Sequence, residues 1–143
     1  MSKVNLPRVI AGGLAAGLIM NVIDALTNGA LLGEHWRVAT EALNPALIAK
    51  MGMSGTVGWI IVDFILGILT VWVYAAIRPR LGPGPRTAFT AALIIWLAAH
   101  AAYASYAFME LYPWSLILAS SLGGLIAALA GGYVGARLYR EEP

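Results

Sequence analysis

Asp24, Asp63 and His100 are the residues of this chain best equipped for chemistry, and each sits inside a long apolar run. Carboxylates beside an imidazole can pass a proton or hold a cation. As two oxygen donors and one nitrogen donor they could also ligate Zn²⁺, Mn²⁺ or Fe²⁺. A charged side chain at the centre of a membrane helix costs about 2.5–3.5 kcal/mol on insertion scales, so such residues need partners or a task. Polar and aromatic neighbours share their helical faces. Asn21, Asp24 and Asn28 form one stripe, and Trp59, Asp63, Gly67, Thr70 and Tyr74 a second. Trp96, His100 and Tyr103 form a third, and Ser120 and Ser121 fall near the same depth in a fourth run.

The elements that must position these residues are membrane helices. Of the 143 residues 60% are hydrophobic and 11% charged, with a mean hydropathy of +0.78. Soluble domains carry about 25% charged residues. Four apolar runs stand out, at residues 9–32, 56–77, 87–109 and 114–138. Each has ~22–25 residues, roughly 33–37 Å as a helix, enough to span a ~30 Å hydrocarbon core with tilt. Backbone groups in lipid must pair within their own segment, so the runs are expected to be helical. The start of the chain, with Lys3 and Arg8 before an apolar run, is like a signal-peptide leader. The run is too long and too polar for cleavage and reads as the first span.

Residues 78–86, Arg-Pro-Arg-Leu-Gly-Pro-Gly-Pro-Arg, read as a breaker loop, and residues 110–113 as a tight turn. Short connections make sequential helices antiparallel neighbours. The longer connection, residues 33–55, repeats Trp36, Ala39, Leu43, Leu47 and Met51 at helical spacing. Asn44-Pro45 there reads as an N-cap with Pro at the first helical position, and Gly52 as the stop. An amphipathic segment lying at the membrane interface is expected. The fold class is thus all-α: one integral membrane domain over residues 1–143, an up-down-up-down four-helix bundle with an interfacial segment between the first two spans.

Of the nine Lys and Arg residues, all but Arg37 and Lys50 lie at the two termini or in the 78–86 loop. The positive-inside rule then puts both termini in the cytoplasm, and in a bacterium the membrane is the inner one. Trp59, Tyr74, Tyr112, Trp114 and Tyr139 near the span ends fit aromatic belts. With that topology Asp24, Asp63 and His100 each fall roughly 10–14 Å below the outer surface, a single polar layer expected to be buried in the bundle. Small residues four apart, at Gly13 and Gly17 and at Gly124, Ala128 and Gly132, allow close helix approach within the chain or with another copy.

Partners implied are the lipid bilayer and a second copy or a larger membrane complex. The net charge of +2 sits in the loops and sets orientation, so no nucleic-acid partner is expected. The chain has no cysteine, which removes disulfides and thiolate metal sites. The identity of any cofactor is not legible in the sequence, and a metal- or cofactor-binding intramembrane enzyme stays as a distant alternative. No Walker loop, nucleophile elbow, His-Glu-x-x-His motif or dinucleotide fingerprint is present, so an enzyme is the remotest class. Two function classes remain. One is an accessory or self-associating module whose Asp24/Asp63/His100 layer, with Asn21, Asn28, Tyr103, Ser120 and Ser121, is a hydrogen-bonded core. The other is a small oligomeric transporter or channel in which that layer handles a proton or cation. A metal site, if there is one, would use Asp24, Asp63 and His100.

The stretch Gly12-Gly13-x3-Gly17-x3-Asn21-x2-Asp24-x3-Asn28-Gly29, then Leu31-Leu32 and Trp36, resembles the opening of small uncharacterised bacterial four-helix membrane proteins. That resemblance implies the fold and no activity. Size and an acid in the first span are also similar to small multidrug transporters, but those have shorter loops and normally a Glu. Asp63 and His100 depart from their pattern.

Overall fold

The computed structural model describes residues 4–141. Lys3 and the side chain of Met51, both used in the sequence reading, lie outside the described part. The described residues form helices and no strand: α1 (Leu6–Asp24), α2 (Gly33–Leu43), α3 (Pro45–Leu81), α4 (Pro85–Tyr103), α5 (Ser105–Phe108) and α6 (Trp114–Leu138). A π-helical stretch, Ala25–Leu31, continues α1. Four segments are long and apolar enough to cross a membrane: Leu6–Leu31, Gly52–Leu81, Pro85–Phe108 and Trp114–Leu138.

Local chemistry sets most of these boundaries. Asn5 caps α1 by accepting from the Arg8 N–H at 3.2 Å. Asn44 caps α3 by accepting from the Ala46 N–H at 2.9 Å, with Pro45 where its missing N–H costs nothing. Gly52 interrupts α3 with φ 2° and ψ −134°, so the helix runs on both sides of a kink. Gly82, at φ +81°, ends it.

Two boundaries differ from the sequence reading. Arg78-Pro79-Arg80 is the last turn of α3 rather than a loop. Pro79 forfeits one backbone bond at a helix end, where the loss is small and the following glycine stops the chain anyway. The third span breaks at Ala104, between α4 and α5, and α5 ends before Met109.

The helices pack through backbone. A Cβ added to Gly67 on α3 would lie 2.5 Å from the Gly13 carbonyl oxygen and the Gly17 nitrogen of α1. One added to Gly12 would lie 2.7 Å from the Gly135 oxygen of α6, and one on Gly131 would lie 2.7 Å from the Ala16 oxygen. Numbering falls on one helix as it rises on the other, so α1 runs antiparallel to both α3 and α6. Gly132 meets Ala92 and Gly124 meets His100, which sets α4 antiparallel to α6. α1 buries Gly12, Gly13, Ala16, Gly17 and Met20, while Leu14, Leu18 and Val22 on its other side are exposed. Small residues inside and large apolar ones outside is the pattern of helices packed by close approach in lipid.

The core lies toward the end where Asn5 meets Tyr139, here termed the near end. Val9, Ala16, Val71, Tyr74, Ala75, Ala88, Ala91, Ala136 and Tyr139 pack there, and Met20, Ala92, Ala127 and Ala128 continue the core inward. The Asn5 N–H donates to the Tyr139 hydroxyl at 3.3 Å, Tyr74 meets the Tyr139 ring edge-on, and the Arg78 guanidinium lies 5.7 Å from its centroid.

Gly67→Ala is expected to cost about 1–3 kcal/mol through overpacking against the α1 backbone. Gly58→Ala, with nothing within 4 Å of the added carbon, should leave stability unchanged or slightly raised. Thermal unfolding of both variants in one detergent checks the contrast.

Candidate functional site

Away from the near end glycine meets side chains rather than backbone, Gly123 against Thr27 and Gly124 against His100, and aromatic side chains fill much of the space between the helices. Asp24 is the last residue of α1 proper, and the wider π turn that follows carries Asn28. The Asn28 amide N–H donates to Asp24 Oδ1 at 2.6 Å, and Asn28 Oδ1 accepts from Trp36 Nε1 at 3.0 Å. Both halves of one amide are used, and α2 is tied through Trp36 to the carboxylate of α1. π-helical turns recur at functional sites because they re-aim side chains that an α-helix would stagger.

Asp63 lies on α3, one turn beyond the Gly67 contact and one turn before the exposed Trp59. No hydrogen bond reaches its carboxylate among the described residues; the charge acting on it is that of Asp24. His100 on α4 bonds through Nδ1 to its own helix, at 3.1 Å from the Trp96 carbonyl, and stacks on the Trp96 ring at 5.2 Å. Its Nε2 fits against Gly124 of α6, where an added Cβ would lie 2.6 Å away. Gly124 was expected to serve backbone packing; it leaves room for the imidazole instead. Trp96 Nε1 donates to the Ser121 carbonyl at 3.0 Å, which holds α4 to α6.

Tyr103 is the hub. Its hydroxyl donates to the buried Ser120 Oγ at 3.4 Å. Around its ring stand Tyr106 at 5.6 Å, His100 at 5.7 Å, Trp36 at 6.4 Å and Trp59 at 6.5 Å. Trp36 also meets Tyr112 edge-on at 5.1 Å, and the Tyr112 and Thr40 hydroxyls lie 3.3 Å apart.

The expected polar residues are therefore distributed rather than fused into one network. Asp24 lies near enough to Asp63 and His100 for their charges to interact, and Asn28, Tyr103 and Ser120 border the same region. Asn21 is turned to another task, donating to the Gly17 carbonyl at 2.9 Å and across to the Ile60 carbonyl at 3.3 Å. Ser121 takes part through its backbone oxygen.

The expectation of a buried Asp/Asp/His layer needs correction. Asp24, Asp63 and His100 are each partly exposed, and no hydrogen bond joins any two of them. Bulky rings stand between the helices at this level, so the helices cannot close over the carboxylates as they close at the near end. Among the described residues no three His, Asp or Glu groups are placed to hold a metal ion.

A groove of about 1230 Å³ lies elsewhere, between α2 and the turn into α6, lined by Val38, Ala42, Phe108, Tyr112, Trp114 and Leu116 among others. It is mainly apolar and contains none of the three ionisable residues. On the outer side of α2 Arg37 bridges Glu34 and Glu41 at 2.7 Å each and holds the Glu34 carboxyl below its usual range. These groups are solvent-facing, and the pairs add little to stability.

No protein-family model, curated protein or solved structure matches this chain.

The sequence places Trp36 in the apolar stripe of the first connection and in the stretch that carries the family resemblance, but does not show its bond to Asn28. The available signal was the indole N–H, which needs an acceptor when half-buried. Asn28→Ala and Trp36→Phe should each lower stability by about 1 kcal/mol, with the double variant little worse than either, because both break one chain of bonds. Melting of the three variants measures this coupling; additive losses would separate the two residues.

Proposed function

We propose that the chain is a self-associating integral membrane module whose Asp24/Asp63/His100 cluster takes up positive charge, as the proton- or cation-handling site of a small transporter or channel. Its architecture on this reading is an up-down-up-down four-helix transmembrane bundle, with α2 and the Pro45–Gly52 turn of α3 lying along the membrane interface. Antiparallel pairing of α1 with α3 and α6, and of α4 with α6, supports the first part. The exposed charges of α2 beside the half-buried Trp36 support the second.

One observation carries the functional reading: the cluster is short of positive charge. Two carboxylates lie within reach of each other; among the described residues the one basic group acting on Asp24 is His100, and none acts on Asp63. Arg8, Arg78, Arg80, Arg86 and Arg137 all lie toward the near end of their helices, and Arg37 is engaged by Glu34 and Glu41. An unpaired, partly exposed carboxylate in a membrane helix is costly against lipid, so water, a cation or protein must meet Asp63. A four-helix chain is thin for alternating access, which favours an assembly of copies.

Docking on a larger membrane complex as an accessory subunit is the second reading. The same partly exposed Asp63 supports it, since a partner's donor could face it. Native mass spectrometry after gentle extraction separates the two: unrelated subunits in fixed ratio favour the accessory role, copies of this chain alone favour the module.

In proteoliposomes Asp24→Asn and Asp63→Asn should each cut cation-coupled or proton flux by on the order of tenfold or more, while Glu110→Gln leaves it intact. Flux unchanged by Asp63→Asn would remove the site. For orientation, Arg80→Cys should resist an impermeant maleimide in intact cells and Glu41→Cys should react. The chain has no native cysteine to interfere. The reverse labelling pattern would invert the topology.

A further inference from the structure

The apolar groove between α2 and the turn into α6 lies apart from Asp24, Asp63 and His100 and has a chemistry of its own. We propose that it holds the acyl chains of a zwitterionic phospholipid, whose ammonium headgroup lies at the acidic rim carried by α2. This rests on the reading of α2 as lying along the membrane interface and is independent of the cation-handling role.

The depth of the groove fits an amphiphile. Leu32, Phe108 and Trp114 on its wall stand at or next to the ends of three spanning segments, the level where hydrocarbon gives way to headgroups. From Trp114 the wall continues along α6 through Leu116 to Ala119, roughly 7 Å further at helical rise. One end of the groove is thus among headgroups and the other in the hydrocarbon layer. Val38, Leu43, Phe108 and Trp114 on its walls are exposed, Phe108 by 75%. Apolar surface left open at this level is covered by lipid or by protein. The volume, about 1230 Å³, lies above the roughly 300–1,000 Å³ of small-molecule pockets and suits extended chains better than a compact solute.

Charge selects the occupant. Glu34 and Glu110 line the groove with His35, and among the described residues no Lys or Arg does. Arg37, on the same helix, is held by Glu34 and Glu41 at 2.7 Å each, so that trio keeps a net negative charge. An anionic headgroup finds carboxylates here and no free cation, whereas an ethanolamine or choline group brings an ammonium that complements them. Anionic lipids find their partners at the near end, with Arg78, Arg80 and Arg137. A second copy of the chain docking on this face about a two-fold axis would set its own acidic rim against this one. Lipid meets no such repulsion.

The test is native mass spectrometry of the full chain released from liposomes of phosphatidylethanolamine and phosphatidylglycerol in equal amounts. Retained phosphatidylethanolamine is expected, enriched about tenfold over phosphatidylglycerol. Ala42→Trp, at an exposed position on the groove wall, fills the groove and should lower that occupancy about tenfold. Glu34→Gln combined with Glu41→Gln frees Arg37 and should turn the preference toward phosphatidylglycerol. Thermal melting confirms that each variant is folded. Lipid retained equally by Ala42→Trp, phosphatidylglycerol preferred by the unsubstituted chain, or a dimer that excludes lipid would each overturn the proposal. A preference unchanged in the double variant overturns the headgroup assignment. A nitroxide on Glu41→Cys gives the depth of α2 in the same liposomes, with no native cysteine to interfere. Interfacial depth without retained lipid overturns the groove proposal alone; a label well clear of the headgroups removes the interface reading with it.

Discussion

The structure depends on the backbone contact of α1 with α3 and α6. Gly13 and Gly17 meet Gly67 on one side, and Gly12 and Ala16 meet Gly135 and Gly131 on the other. In lipid, apolar side chains gain little by leaving one hydrocarbon environment for another, so helices associate by fit. Fit here means missing side chains. The glycines bring α1 within backbone reach of two neighbours, and Val9, Ala16, Val71 and Ala136 then close around the junction. Everything at the far end is arranged by helices whose directions are set at this crossing.

The far end obeys a different rule. Beside Gly123 and Gly124 stand large residues, and several carry a donor that must be matched: indole N–H groups on Trp36 and Trp96, hydroxyls on Tyr103 and Tyr112. Each finds a partner on a neighbouring element, so the aromatic end is held by directional bonds where the glycine end is held by contact area. The carboxylates sit where one regime gives way to the other. Asp63 lies next to Phe64 and packs its own carbonyl oxygen, with Phe64, against Gly17, just before the ring-filled region begins.

Much of this was legible in the sequence because hydropathy and breakers act locally. The fourth span, residues 114–138, matches α6, since Pro113 and the polar residues after Leu138 mark both ends. The Asn44-Pro45 start was readable from cap chemistry alone. Pro79 misled, because a proline in the last helical turn looks in sequence like one in a loop. The π stretch at Ala25–Leu31 carried no local mark: it depends on Asn28 reaching both Asp24 and Trp36, a three-body arrangement that periodicity does not encode. The polar residues could be assigned to one depth because that needs only helical rise. Whether they would be buried depended on the size of the side chains between helices, which is a property of pairs of helices rather than of any one.

The glycine crossing also fixes how such a molecule could deform. Backbones in contact cannot slide or approach further, so they act as a fulcrum, and the remaining freedom is a change of angle about it. Displacement then grows with distance along the arm. From Gly13 to Asp24 the arm is roughly 16 Å at helical rise, so a tilt of about 5° moves the carboxylate by about 1.4 Å. That is about half the length of a hydrogen bond, from a rotation that barely disturbs the pivot. A rigid crossing at one end thus works as a lever at the other, and the residues farthest from the glycines have the largest throw.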